Sequence, residues 1–497
     1  MKKLFVLLGI LCTFCFVSCG NIQLAGGDMG VVSLAIGDEL ASEIRSAAAS
    51  RNAGVGAYTV TASIRGGYSD SQTVAVANGN YSGVTFTFEG IPVGKKIILD
   101  LTAKAGSNYI WYGNSGKHTV ERGENLLTIA LGRVSGVLMW DSSSVKIAPY
   151  GNYETRSSLF NASPSSIAWC FDNAGNIYWY VGEENAAYRS DIQSSDSTYQ
   201  QNSQYYYSPP FYAFTHDATT DILYGIGDGG SVKYWSGTGS DSKDIMSSDG
   251  SPFFDSTPPL GFVVHDNILY IAQLGLTEGM NGELFLSLVK YDLNQENISI
   301  KPVNEMTNHQ LKDFFGTSQG SVTGQMIYHE GSLYLLLSRV SIDTMSNDNK
   351  EPKSYSLGAV LKINPDTLAL DTNFGSGGYL GLADTHTEIT GIDETSNNVT
   401  DGTVVYHGPT SSNDASVFYG PQGFVAIMPK KLVIADAGFS VSKVENKIAL
   451  TKKSRIITVD LETLAFETVD VNGSYYQPSI TSTGSGYEYI VQEETSS

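Results

Sequence analysis

Between Gly56 and about Val134, apolar and polar residues alternate with a period of two. Tyr58-Thr59-Val60-Thr61-Ala62-Ser63-Ile64 does so, as does Val84-Thr85-Phe86-Thr87-Phe88. Ile97 to Ala103 and Leu126 to Leu131 complete the set. Successive side chains of a strand point to opposite faces, so this alternation predicts half-buried strands. With Gly and Asn turns between them, the strands predict a small β-sandwich over 36–134. One stretch before them has a different period: Ile36, Leu40 and Ile44, with Asp38, Glu39 and Glu43 between, predict a short helix within 36–49.

After Val134 the chain repeats itself. Asp172-Asn173-Ala174-Gly175-Asn176-Ile177-Tyr178 is echoed at His216-Asp217 to Tyr224, at His265-Asp266-Asn267-Ile268-Leu269-Tyr270 and at His329-Glu330-Gly331-Ser332-Leu333-Tyr334. Tyr178, Tyr224 and Tyr270 are each 46 residues apart, and the next gap is 64. Each copy is an apolar strand, a tight polar turn and a second apolar strand. Several continue into a third strand that closes on an acidic or Asn turn, as at Asp292, Asn364 and Asp460. A period in the forties with three or four strands per unit is that of a propeller blade. Units begin near 166, 211, 261, 324, 421 and 475, which predicts about six blades over 135–497. Val137-Leu138-Met139-Trp140 is expected to close the last blade, and Ser485 to Ile490 to be a final copy. A hidden blade between 380 and 420 would make seven. The fold class expected is all-β: a sandwich followed by a propeller.

Two segments resemble known families. Phe88-Glu89-Gly90-Ile91-Pro92-Val93-Gly94-Lys95 is similar to the turn of prealbumin-like and carboxypeptidase-regulatory-like sandwich domains, which implies a stalk or spacer. Gly358 to Asp366, leading into Leu370-Asp371-Thr372-Asn373-Phe374-Gly375-Ser376-Gly377-Gly378, resembles the delta-60 type of propeller repeat, related to NHL-like propellers.

The first residues point to a compartment. Lys2 and Lys3 precede an apolar run from Leu4 to Val17, shorter than a membrane span, and 1–18 reads as a signal peptide. The run ends in Phe16-Val17-Ser18-Cys19-Gly20, which resembles a relaxed lipobox with Phe where Leu is usual. That resemblance implies lipid attachment at Cys19, a tether over 19–35, and a lipoprotein of the outer membrane, exposed at the cell surface. An ordinary secretory signal with cysteines at 12, 15 and 19 is the alternative. After cleavage only Cys19 and Cys170 remain, so no disulfide is expected, and Cys170 reads as a small hydrophobe in an apolar strand.

Composition narrows the partners. Only 16% of residues are charged, and the formal net charge is −21, so a phosphate backbone would repel this chain and nucleic acid is excluded. No nucleophile elbow, zinc His pair or phosphate loop occurs. His216, His265 and His329 occupy equivalent places in successive units, which predicts strand-end packing at separations too large for one ion. No metal or other cofactor is expected, and the chain is expected to be a monomer.

The candidate binding residues are Tyr188, Tyr199, Tyr205, Tyr206, Tyr207 and Tyr212, interleaved with Ser, Gln and Asn in an insertion between blades. Tyr offers a flat apolar face and a hydroxyl at low entropy cost, which suits a glycan or protein surface. The expected function is therefore non-catalytic binding of a protein or glycan at the envelope. The alternatives are a lyase or glycan hydrolase with its site in the propeller funnel, and a structural part of an envelope assembly.

Overall fold

The structure is a computed structural model of the chain. It describes residues 28–36, 58–76, 84–105, 108–140, 144–154, 156–160, 167–171, 177–181, 186–190, 201–206, 213–217, 219–220, 222–226, 232–236, 243–245, 259–276, 284–294, 297–302, 322–343, 353–381, 386–389, 392–393, 398–399, 404–406, 418–444, 447–471, 475 and 489–492. All regular elements among these are strands, so the fold is all-β. The helix expected within 36–49 lies outside the described residues beyond Ile36.

The alternating segments form a two-sheet sandwich. Thr85–Pro92, Met29–Ala35 and Gly123–Leu126 make one sheet. Asp70–Val76, Tyr58–Gly66, Lys96–Ala105, Asn108–Asn114 and Gly132–Arg133 make the other. Phe86 and Phe88 point inward while Thr85 and Thr87 face solvent. Val60, Ala62, Ile64, Leu99 and Leu101 meet them from the opposite sheet. Gly94 sits at φ +82 in the turn after Pro92, a conformation open to Gly at little cost. Met29–Ala35, expected to be tether, instead pairs antiparallel with Thr85–Pro92 and in parallel with Gly123–Leu126, because Val32 and Leu34 supply buried side chains to this core.

The repeats form six sheets in chain order. The first is Val137–Trp140, Val145–Ala148 and Ser157–Phe160. The second is Ile167–Phe171, Ile177–Val181, Ala186–Ser190 and Gln201–Tyr206. The third runs from Ala213–Asp217 to Lys243–Ile245 and the fourth from Gly261–His265 to Asn297–Pro302. The fifth is built on Val322–His329, Ser332–Asp343 and Lys353–Ile363. The sixth is Pro421–Met428, Lys431–Val444, Lys447–Asp460 and Phe466–Asp470. Within each, consecutive strands pair antiparallel.

Side chains join every neighbouring pair of sheets. The rings of Trp140 and Trp169 lie 5.0 Å apart between blades 1 and 2, and Tyr178 stacks on His216 between 2 and 3. Asn267 donates its backbone N–H to Asp217 between 3 and 4, and His265 stacks on Tyr328 between 4 and 5. Lys430 pairs with Glu330 between 5 and 6, and Tyr150 bonds Thr458 between 6 and 1. Among the described residues these contacts link the six sheets in a cycle, as a propeller requires.

Three expectations change. Val137–Trp140 begins a sheet of its own rather than closing blade 6. The C-terminal part of the chain reaches back to it, since Tyr475 bonds the backbone of Trp140 and Leu138. Between 380 and 420, His386–Ile389 pairs with Lys353–Ile363 and Val404–Tyr406 pairs with His386–Ile389, so this insertion widens blade 5 and adds no seventh blade among the described residues. Tyr489–Gln492 is not a final inner hairpin. It adds in parallel to Ile448–Thr451 of blade 6.

The sandwich is docked on the propeller. Arg65 binds Asp100 within the sandwich and Asp460 of blade 6, the latter at 2.7 Å. Ser135 and Ile427 exchange two hydrogen bonds, and Gly132 abuts the ring of Pro429.

Candidate functional site

The first strands of blades 2 to 6 line a central cavity of about 340 Å³. Its wall mixes apolar and polar surface, with Trp169, Phe214, Phe262 and Tyr328 as the large rings. The polar side chains on it are neutral amides and hydroxyls, Thr215, Thr323, Gln325 and Gln422, together with His216 and His265. The cavity is spanned by side chains. Trp169 of blade 2 donates its Nε1–H to Phe424 O of blade 6 at 3.0 Å. Gln325 of blade 5 accepts from Phe424 N at 2.6 Å and donates to Trp169 O at 3.4 Å. Gly423 permits this closure, because a Cβ there would fall 2.7 Å from the indole of Trp169.

The tight hairpins after these strands carry the histidines. They do not converge on one another. His216 stacks on Tyr178 at 4.2 Å between ring centroids, and His265 on Tyr328 at 3.6 Å. A mixed set of donors does come together across one junction. Asp217, at the end of blade 3, lies beside His265 and Asp266 of blade 4, and their ligand atoms are all within 4.8 Å of one another. The repeat places the same turn in each blade, but side-chain reach joins adjacent turns across the junction. Asp217 is fully buried. It accepts from Thr219 N, Thr220 Oγ1 and Asn267 N.

The next junction but one is built differently. Glu330 pairs with Lys430 at 2.8 Å, and His329 beside them is buried. Burial pushes the His329 imidazole below its ordinary 6.5, which the charge of Glu330 partly opposes. Burial alone would lift the Glu330 carboxyl, but its hydrogen bonds and ion pair with Lys430 hold it below its usual range. At neutral pH the His329 ring is neutral folded or unfolded. As pH falls through 6.5 the unfolded chain binds a proton that the folded chain refuses, so stability drops. Glu330 adds to the same loss below 4.5, where the unfolded carboxyl protonates first. His329→Gln is expected to flatten the fall of Tm between about pH 7.5 and 5. An unchanged slope in a thermal-melt series would remove His329 from this role.

The sequence-predicted binding residues are only partly described. Tyr188 lies on the third strand of blade 2, and Tyr205 and Tyr206 lie on the fourth. Tyr188 is in register with Gln204, and Tyr206 with Ala186. The described strands of this segment, Ala186–Ser190 and Gln201–Tyr206, belong to blade 2 itself rather than to an insertion between blades. Tyr199, Tyr207, Tyr212 and Cys19 lie outside the described residues. Cys170 is a buried thiol on the cavity wall.

One repeated device was missed from the sequence. Asn364-Pro365-Asp366-Thr367-Leu368-Ala369 and Asp460-Leu461-Glu462-Thr463-Leu464-Ala465 form the same turn. In each, the first side chain accepts two backbone N–H bonds and the Leu adopts positive φ. The shared Thr-Leu-Ala was the available signal.

The fold and site define an all-β sandwich–propeller protein with a bridged central cavity. A family model described as the TdpA C-terminal domain matches residues 287–483. No curated protein matches the chain significantly. Among solved structures, a structural genomics protein of unknown function from Bacteroides thetaiotaomicron VPI-5482 is 11% identical at a TM-score of 0.33, covering 87% of this chain and 84% of that one. Apo AztD from Citrobacter koseri is 11% identical at 0.29, covering 68% and 95%. The tricorn protease is 10% identical at 0.28, covering 84% of this chain, which spans 44% of that one. At such scores the fold rests on the sheets themselves.

Proposed function

We infer that this chain is a lipid-anchored envelope protein that binds a protein or glycan without transforming it. The observation that carries this reading is the cavity: Trp169, Gln325 and Phe424 tie the inner strands of blades 2, 5 and 6 together and narrow the place where an enzymatic propeller would hold its substrate. The ring then acts as a rigid support, and recognition falls to its periphery, where the outer half of blade 2 concentrates tyrosines. Lipid attachment at Cys19 holds the protein at the outer membrane, and the sandwich serves as the spacer, in line with its prealbumin-like turn.

The test is a fractionation and binding experiment on the full chain. Wild type is expected in the detergent phase of a phase-separation assay and Cys19→Ala in the aqueous phase. Immobilised wild type is expected to retain one class of envelope glycan or protein unchanged, with Tyr205→Ala plus Tyr206→Ala weakening retention by at least about tenfold. Release of a cleaved product would overturn the binding reading, and aqueous partition of wild type would overturn the anchor.

A further inference from the structure

We propose that Asp217, His265 and Asp266 form a binding site for a divalent cation of the zinc type at the junction of blades 3 and 4. The three ligand atoms lie within 4.8 Å of one another and come from both blades. A four-coordinate ion held at about 2.0–2.2 Å needs its ligands about 3.4 Å apart, so the set must contract by up to about 1.4 Å. Asp266 can supply that movement, since its side chain is 61% exposed. The His265 ring is held by stacking on Tyr328, which fixes its plane. One imidazole nitrogen with two carboxylate oxygens is a mixed donor set that suits zinc better than calcium or magnesium, which favour oxygen alone.

Charge balance supplies the independent argument. Asp217 is fully buried, and every hydrogen bond shown to it comes from a neutral donor, Thr219, Thr220 or Asn267. Among the described residues no Lys or Arg forms an ion pair with it. A buried carboxylate without a counter-charge is costly, and Asp266 brings a second negative group to the same place. The equivalent junction of blades 5 and 6 shows the usual remedy, because there Lys430 neutralises Glu330. At blades 3 and 4 a divalent cation would do what Lys430 does. His265 also lines the central cavity, so the ion would lie at its rim, where a water or a ligand donor can complete the coordination shell.

The experiment is calorimetric titration of the full chain with Zn²⁺, repeated with Mg²⁺ and Ca²⁺, together with Co²⁺ absorption and thermal melts. About one Zn²⁺ is expected per chain, with a raised Tm and a tetrahedral Co²⁺ spectrum. Asp266→Asn is exposed and should fold normally, and His265→Ala serves as the second variant. Each is expected to weaken Zn²⁺ binding by at least about tenfold. Absence of saturable Zn²⁺ binding, or two folded variants that bind like wild type, would overturn the proposal. Preference for Ca²⁺ over Zn²⁺ would overturn the assignment of the His265 nitrogen as a ligand.

Discussion

Asp436→Ala is expected to cost about 3–5 kcal/mol of propeller stability. Asp436 and Arg455 face each other in register on adjacent strands of blade 6, and both are fully buried. Arg455 Nε donates to Asp436 Oδ2 at 2.8 Å, and the same carboxylate accepts from Tyr419 N and Gly420 N. The guanidinium lies 4.5 Å over the Tyr419 ring. Truncating the acid removes the carboxylate opposite a buried cation and leaves two buried N–H groups without their acceptor, and the removal of one partner is far worse than the removal of both. The paired change Asp436→Leu with Arg455→Met is therefore expected to recover most of the loss. Denaturant unfolding checks both. A single-variant loss under about 1 kcal/mol would show that the pair is solvated and not buried.

Tyr475→Ala is expected to cost about 3–5 kcal/mol, by opening the ring where its two ends meet. Tyr475 is buried, stands edge-on to Trp140 at 4.6 Å, and donates its hydroxyl to Leu138 O at 2.7 Å. Its backbone N–H bonds Trp140 O. It thus holds the N-terminal strand of blade 1 from the far end of the chain. Tyr475→Phe keeps the ring and loses only the hydroxyl bond, so about 1–2 kcal/mol is expected. Hydrogen exchange distinguishes local opening from general instability. Faster exchange at Val137–Trp140 with unchanged protection of Tyr58–Gly66 in the sandwich is the expected pattern. Uniform loss of protection in both regions would argue against a closing role for Tyr475.

The sandwich strands were legible because Phe86 and Phe88 alternate with Thr85 and Thr87, and a strand has only two faces to assign. The blades were legible because His-Asp or His-Glu turns recur before a buried Tyr. The same repetition misled at the ends of the ring. Val137–Trp140 looks like any outer strand, and only its pairing with Val145–Ala148 shows that it opens blade 1, while Tyr475, more than three hundred positions away, reaches back to it. Met29–Ala35 is short and flanked by Gly, so local pattern could not show that it pairs between two distant strands.

The candidate sites divide in the same way. Asp217 and His265 were each legible as turn residues, since a side chain that caps its own hairpin needs only local chain. Their approach was not, because it depends on how two blades are rotated against each other. The same holds for Trp169, Gln325 and Phe424, whose bonds cross the cavity between strands remote in sequence. By itself the sequence determined an acidic, all-β chain of a sandwich and a repeated blade, because period and turn chemistry are local. The tertiary structure decided how the ring closes, what spans its centre and which carboxylates meet an imidazole, because those depend on long-range packing that no local pattern encodes.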